Sequence, residues 1–314
     1  MKKIIIILLV AIAAVSGPLF ATDQILRAGM WAEVSDLLDI RTPSEFVYVV
    51  KPYAEYLYGR QSNDNLTGGT LLSTYAPYEI GSELSAIRPS IESWLDFRFN
   101  EKQDQLMQTG LSLYSSQTSS TGTFLSMNGY FTWYPYNKAK EVMVHQHFRD
   151  LVEGLRLGVG IDGGAFVSQL FEDADSATDL NVGISGTLES GAKLSDHLWV
   201  QGYVVLVLPT ISMPSSFDTF EVSANNQFMG SLTYSSEKLR LVTGISASIS
   251  ADKLWTQNGF FDGSGLDFSY MALGEAGYFF TEDLFAYAGA ELYGGKDSLF
   301  GSSNAYIGAQ YFLL

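Results

Sequence analysis

Apolar and polar residues alternate with a period of two along most of this chain. In the stretch from Leu266 to Phe280, one parity reads Leu266, Phe268, Tyr270, Ala272, Gly274, Ala276, Tyr278 and Phe280, with no polar side chain. The other reads Asp267, Ser269, Met271, Leu273, Glu275, Gly277 and Phe279. Successive side chains of a β-strand point to opposite faces, so this is a strand with one dry face. The run is far longer than the ~5–6 residues of an ordinary soluble strand. The pattern recurs: Leu180, Val182, Ile184, Gly186 and Leu188 oppose Asp179, Asn181, Ser185, Thr187 and Glu189, and Leu239, Leu241, Ile245, Ala247 and Ile249 oppose Arg240, Gly244, Ser246, Ser248 and Ser250.

The links between runs also alternate. Tight polar turns fall at 100–104, 195–197, 235–238 and 281–283, and longer links at 59–83, 167–178, 251–264 and 295–302. Short turns on one side and long loops on the other characterise a transmembrane β-barrel, in which closure pairs every backbone amide without water. The expected fold is all-β, a single antiparallel transmembrane barrel over 46–314. Its twelve strands fall at 46–58, 84–99, 105–115, 122–134, 154–166, 178–194, 198–211, 219–234, 239–250, 265–280, 284–294 and 303–314. The barrel closes between the first and last, and an even count leaves both termini at the turn side. Two stretches resist this count. Residues 70–80 read as a loop or edge element because of Pro77, or as another strand. Residues 135–153 place Val144, Phe148, Leu151 and Leu155 at helical spacing, which suggests a short rim helix. Fourteen strands is the alternative. Ahead of the barrel, residues 22–45 form a pre-barrel segment in which Leu26, Met30, Val34, Leu37 and Leu38 make a helical stripe, a rim helix or a plug.

The N-terminus begins Met-Lys-Lys, runs through twelve apolar residues from Ile4 to Val15 and breaks at Gly17-Pro18. This is the layout of a signal peptide over 1–21, too short to span a bilayer as a helix. Composition fits an exported chain with much surface outside water: charged residues are 17% and aromatics 14% of the 314 residues. The net charge of −16 argues against nucleic acid or an anionic membrane surface as partner. The absence of cysteine excludes disulfides, thiolate metal sites and a cysteine nucleophile.

Turn–strand units such as Phe280-Thr-Glu-Asp-Leu-Phe-Ala-Tyr-Ala-Gly-Ala-Glu-Leu-Tyr293, and a final strand with Ala305, Ile307, Ala309, Tyr311 and Leu313 on one apolar parity, resemble bacterial outer-membrane β-barrel proteins of the porin-like class. The resemblance is architectural and covers 46–314. It implies the outer membrane as location, outer-membrane lipid as surroundings and the barrel-assembly machinery as a partner during biogenesis. The chain ends Phe312-Leu-Leu314 where such proteins usually end in an outward Phe.

Chemistry-bearing motifs are sparse. Gly158-Val-Gly-Ile-Asp-Gly163 matches a dinucleotide fingerprint but lies inside an alternating strand with no helix after it, so its glycines are expected to leave the lumen uncrowded. His145, His147 and His197 all fall on the turn side, and no Gly-x-Ser-x-Gly elbow accompanies them. No catalytic, metal or cofactor site is expected. Tyr56 and Tyr58 at one end, and Trp133 and Tyr136 at the other, with Tyr278 and Phe280, suggest interfacial girdles. Tyr53, Trp94, Tyr114, Tyr130, Trp199, Tyr203 and Tyr287 fall on the lumen parity and are expected to pack a partly filled interior. The same parity carries the pore-lining candidates: the acids Glu55, Glu92, Asp96, Asp162, Asp179, Glu189, Glu221, Asp267, Glu275 and Glu291, and the bases Lys51, Arg98, Arg156, Lys193 and Arg240. Ten acids against five bases predict a wet, negatively biased lumen. The expected function is passive diffusion of small hydrophilic solutes with mild cation preference. A closed structural or adhesin-type barrel, and a plugged barrel carrying a hydrophobic solute, are the alternatives.

Overall fold

The computed structural model describes residues 24–35, 47–58, 66–79, 88–102, 105–117, 123–142, 151–167, 178–213, 221–256, 259–260, 266–296 and 301–313. The expected signal peptide at 1–21, Leu37 and Leu38 of the expected pre-barrel stripe, and His145 and His147 lie outside the described residues. The strands are β1 (Gln24–Ser35), β2 (Val47–Tyr58), β3 (Leu66–Glu79), β4 (Arg88–Lys102), β5 (Gln105–Gln117), β6 (Thr123–Asn137), β7 (Lys140–Val142), β8 (Leu151–Val167), β9 (Thr178–Ser195), β10 (Leu198–Met213), β11 (Glu221–Ser235), β12 (Leu239–Thr256), β13 (Gly259–Phe260), β14 (Leu266–Phe279), β15 (Leu284–Gly295) and β16 (Ser302–Phe312). The fourteen long strands form an antiparallel ring, each bonded to the next long strand in the chain, and β1 on β16 closes it. Two short pieces stand off the ring: β13 pairs the end of β12, and β7 pairs the start of β8.

The ring therefore has fourteen strands, not twelve, and no helix occurs among the described residues. One extra strand is β1, where a helical pre-barrel segment was expected. Leu26, Met30 and Val34 recur every four residues, a spacing that fits a helix and also an extended chain; Ala28 and Ala32 between them complete the period of two. As a strand, β1 closes the ring by pairing Met30 with Ala309 on β16 and with Pro52 on β2, so closure does not run from 46–58 to 303–314. A plug cannot be made from residues that are part of the wall. The other extra strand is β3, which replaces most of the expected loop at 59–83. Its Pro77 sits near the loop end, opposite Val49, where few ladder bonds remain to be lost. The helix expected at 135–153 is overturned at its flanks, where residues 140–142 and 151–153 pair as strands; Val144 and Phe148 lie outside the described residues.

The extra strands reverse β2. It runs toward the rim of tight turns, so Tyr56 lies on the same rim as Trp133, Tyr136, Tyr278 and Phe280, not the opposite one. That rim also holds the start of β1, the end of β16 and the turns 195–198, 235–239 and 280–284.

The apolar parity faces outward throughout. Ile184, Ile245 and Ile307 are 45%, 58% and 65% exposed on the outer wall, as are Leu266, Phe268, Leu241, Tyr311 and Leu313. In water this would be an unfavourable surface; against hydrocarbon it is the required one, because an Arg or Lys facing lipid near the midplane costs ~2–4 kcal/mol. The buried side chains lie inside. Ile25, Phe279, Phe285 and Phe312 form a small core at the turn-side end of the lumen, with Leu57 and Tyr287 against it.

Candidate functional lumen

Two sectors of the inner wall differ. On β14, β15, β16 and β1 the inner face is aromatic. Ring centroids step from Phe312 to Phe279 (6.3 Å), Phe285 (4.7 Å) and Tyr287 (5.7 Å), then to Tyr306 (6.2 Å) and Trp31 (5.8 Å). Lys51 from β2 caps the ladder, its Nζ 4.4 Å from the Trp31 ring centre. The rings lie flat because glycines face them. Tyr53 covers Gly29, Trp94 covers Gly69, Tyr130 covers Gly110, Tyr306 covers Gly289 and Tyr287 covers Gly308. A Cβ at Gly29 would come within 2.7 Å of the Tyr53 ring, so the missing side chain is what admits the aromatic. Gly158 works the same way: a Cβ there would stand 2.8 Å from Tyr134. That glycine admits Tyr134 and does not leave the lumen uncrowded.

The tyrosine hydroxyls are tied down. Tyr53 donates to Gln310 (2.8 Å), Tyr130 to Asp96 (2.6 Å), Tyr134 to Glu189 (3.2 Å) and Tyr306 to Glu275 (3.2 Å). Tyr293 donates to Glu291. A buried hydroxyl without a partner would cost ~1–3 kcal/mol, so each aromatic needs its acceptor.

In the second sector, β8 to β12, four strands carry small or polar inward residues: Gly160, Gly183 and Ser185, then Asn225, Gln227 and Ser231, then Ser246, Ser248 and Ser250; β10 between them turns Trp199, Tyr203 and Val205 inward. Here the interior is accessible. Met229 faces inward opposite Tyr203 and is 52% exposed; Gln227 and Asn225 beyond it on β11, and Asn181 nearer the loop end of β9, are exposed as well. A recess of about 370 Å³ opens nearby between Trp94, Asp96, Ser112, Asn128, Tyr130, Asp162 and Asn181.

Charge divides along the axis as well. In the turn-side half each described guanidinium meets a carboxylate. Arg27 pairs with Glu55, Arg98 with Glu141 (2.5 Å), and Arg240 with Glu275 (2.7 Å). Arg156 donates from Nε to Glu189 (2.8 Å) and packs over the Tyr134 ring. Lys193 reaches down to Asp196 on the turn (3.0 Å), and that hydrogen bond holds the Asp196 carboxyl below its ordinary range. In the loop-side half Glu33, Asp162, Asp179 and Asp267 face inward, and no described base pairs with them. Glu92 lies half-buried on the inner face of β4 opposite Tyr114. Glu221 sits at an inward register position at the loop end of β11.

The predicted inward set is therefore brought into one lumen, but as two groups: Glu55, Arg98, Arg156, Glu189, Arg240 and Glu275 form ion pairs with one another or with new partners, and Asp162, Asp179 and Asp267 meet no described base, Asp267 accepting from the Phe268 amide (2.8 Å). Three charged members were missed. Arg27 and Glu33 occupy the polar parity of β1 and would be found by reading 24–35 with a period of two. Glu141 carries no signal in the sequence, since it reaches the lumen only through the course of the chain after β6. His197 lies in a turn at the rim, its Nδ1 3.0 Å from the Ser235 carbonyl.

No protein-family model and no curated protein matches the chain. Solved structures similar to it are outer-membrane barrels. A loop-deletion mutant of OmpT, an outer membrane protein of Vibrio cholerae, matches with TM-score 0.41 and 11% identity, over 93% of this chain and 99% of that one. The TodX monoaromatic hydrocarbon channel matches with TM-score 0.44 and 9% identity, over 92% and 89%. The Acinetobacter baumannii outer membrane protein Omp33 matches with TM-score 0.40 and 10% identity, over 92% and 98%. The closed antiparallel β-barrel expected from the sequence is the architecture found.

Proposed function

We propose that this chain is a passive channel of a bacterial outer membrane, and not an enzyme, with its turn rim toward the periplasm and small hydrophilic solutes, cations preferred, as its traffic. The observation that carries this reading is the accessible inner wall at β11, where exposed Met229, Asn225 and Gln227 line space that no described side chain fills. The preference for cations rests on the loop-side acids Glu33, Asp162, Asp179 and Asp267. Fixed charges on a pore wall raise the local concentration of the opposite ion. The paired turn-side arginines add little field of their own, since each has a carboxylate beside it. Exported by its leader and assembled by the barrel machinery, the chain would need no cofactor.

The test is conductance in planar bilayers, with reversal potentials under a salt gradient. Discrete steps with a cation-side reversal potential support the reading. Absence of any step would favour a closed structural barrel instead, and anion selectivity would remove the acids from the conducting path.

A further inference from the structure

From Gly154 onward β8 belongs to the wall: Gly154 pairs with Gly191 on β9. Before it, residues 151–153 make no ladder with β9 and pair instead with 140–142 in a separate two-stranded ribbon. The ribbon's direction can be read from glycine 191. That position shares its parity with Glu189 and Lys193, so its absent side chain would point into the lumen. The Val152 carbonyl occupies that place, and a Cβ there would overlap it. Gly154 has φ +110°, a conformation L side chains rarely adopt, and a Cβ on it would strike the Lys138 carbonyl. β8 also reaches past β9 to touch β10. The chain thus leaves the wall at Gly154 and crosses the inner side of β9 at the turn-side mouth.

What holds it there is Glu141 on β7. Its Oε1 accepts from Arg98 at 2.5 Å and lies 3.6 Å from Arg156. Arg98 is on β4 and Arg156 on β8, with β5 and β6 between them in the ring, so one carboxylate spans two strands of wall from inside. The buried Nε of Arg98 has no acceptor, so this hold is weaker than a full two-point pair.

We propose that the β7–β8 ribbon is the constriction of the channel and that Glu141 is the latch that keeps it folded across the turn-side mouth. This rests on the channel reading above. Breaking the Glu141 contacts, or filling the space over Gly191, should swing the ribbon out and widen the path.

The experiment uses the full chain in lipid vesicles and planar bilayers, with Glu141→Gln and Gly191→Ala as two independent ways of releasing the ribbon. The chain has no cysteine, so Val142→Cys with Lys238→Cys carries two nitroxide labels, and their separation by pulsed electron resonance reports the ribbon's position. The expected result is a longer separation and a rise in single-channel conductance of roughly twofold or more in both variants. An unchanged separation in both overturns the latch. A longer separation with unchanged conductance overturns the ribbon as the constriction while the channel reading stands. If the wild type and both variants never conduct, the constriction and the channel reading fall together, and the label separation alone still decides whether Glu141 latches the ribbon.

Discussion

The two sectors of the inner wall have the same secondary structure and the same outer face, yet one is filled and the other is wet. On β14 to β1, rings from Phe312 to Trp31 stack down the wall; on β8, β9, β11 and β12, serine, asparagine and glycine leave much of it bare, with Trp199 and Tyr203 of β10 between them. Inward parity alone does not separate them. The difference lies in pairing across strands: an aromatic is admitted where the strand beside it supplies a glycine for the ring to cover and an acceptor for the hydroxyl. Tyr287 has Gly308, Tyr306 has Gly289 and Glu275, and Tyr53 has Gly29 and Gln310. The conducting path in this reading is off-centre, against the bare sector, and the aromatic sector acts as its rigid backing.

Four measurements would break or sharpen that contrast. The largest effect is expected at the base of the filled sector. Phe285 is 1% exposed, so Phe285→Ala should lower stability by about 3–5 kcal/mol in urea unfolding from vesicles. Ser246→Ala on the bare sector should stay within about 0.5 kcal/mol; equal losses at both would end the distinction. Next, Gly308→Ala places a methyl group into the Tyr287 ring and should cost about 1–3 kcal/mol. Adding Tyr287→Ala to that background should make the two losses less than additive, a coupling that a double-mutant cycle reads directly.

The third measurement is conductance. Gln227→Trp puts bulk into the accessible sector and should reduce single-channel conductance roughly twofold. Tyr53→Phe, which removes the hydroxyl bonded to Gln310 behind the path, should leave it unchanged. The smallest effect concerns selectivity. Replacing Asp162, Asp179 and Asp267 together by Asn should shift the reversal potential toward zero by a few millivolts. That shift should fade between 0.1 and 1 M salt as the Debye length falls from ~10 to ~3 Å. Glu275→Gln turns the near-neutral Arg240–Glu275 pair into a net positive site and should move selectivity toward anions by no more than the loss of one charge implies.

Much of this lumen was legible in the residues. The outer and inner parities of 178–194, 239–250 and 265–280 are those of β9, β12 and β14, and the inward aromatics Tyr53, Trp94, Tyr130 and Tyr287 do pack the wall. What escaped follows from two ambiguities. A spacing of four fits both a helix and a strand, so 24–35 lost its place in the ring, and Arg27 and Glu33 with it. A glycine on the inward parity reads as empty space unless its cross-strand neighbour is known, so Gly158 seemed to open the lumen that Tyr134 fills. Glu141 had no pattern to reveal it, because its approach to Arg98 depends on Gly154 and Gly191 lying side by side, and those two are far apart in the chain.

By itself the sequence determined that this chain folds into long antiparallel strands with an apolar outward face, joined by tight turns on one rim. Those features follow from alternation and turn chemistry, which act between residues near in the chain. Only the tertiary structure decided the number of strands, the pair that closes the ring, the division of the lumen into a filled and a wet sector, and the ribbon that crosses its mouth. Each of these depends on which side chain meets which across the barrel, and a short local pattern carries no record of that meeting.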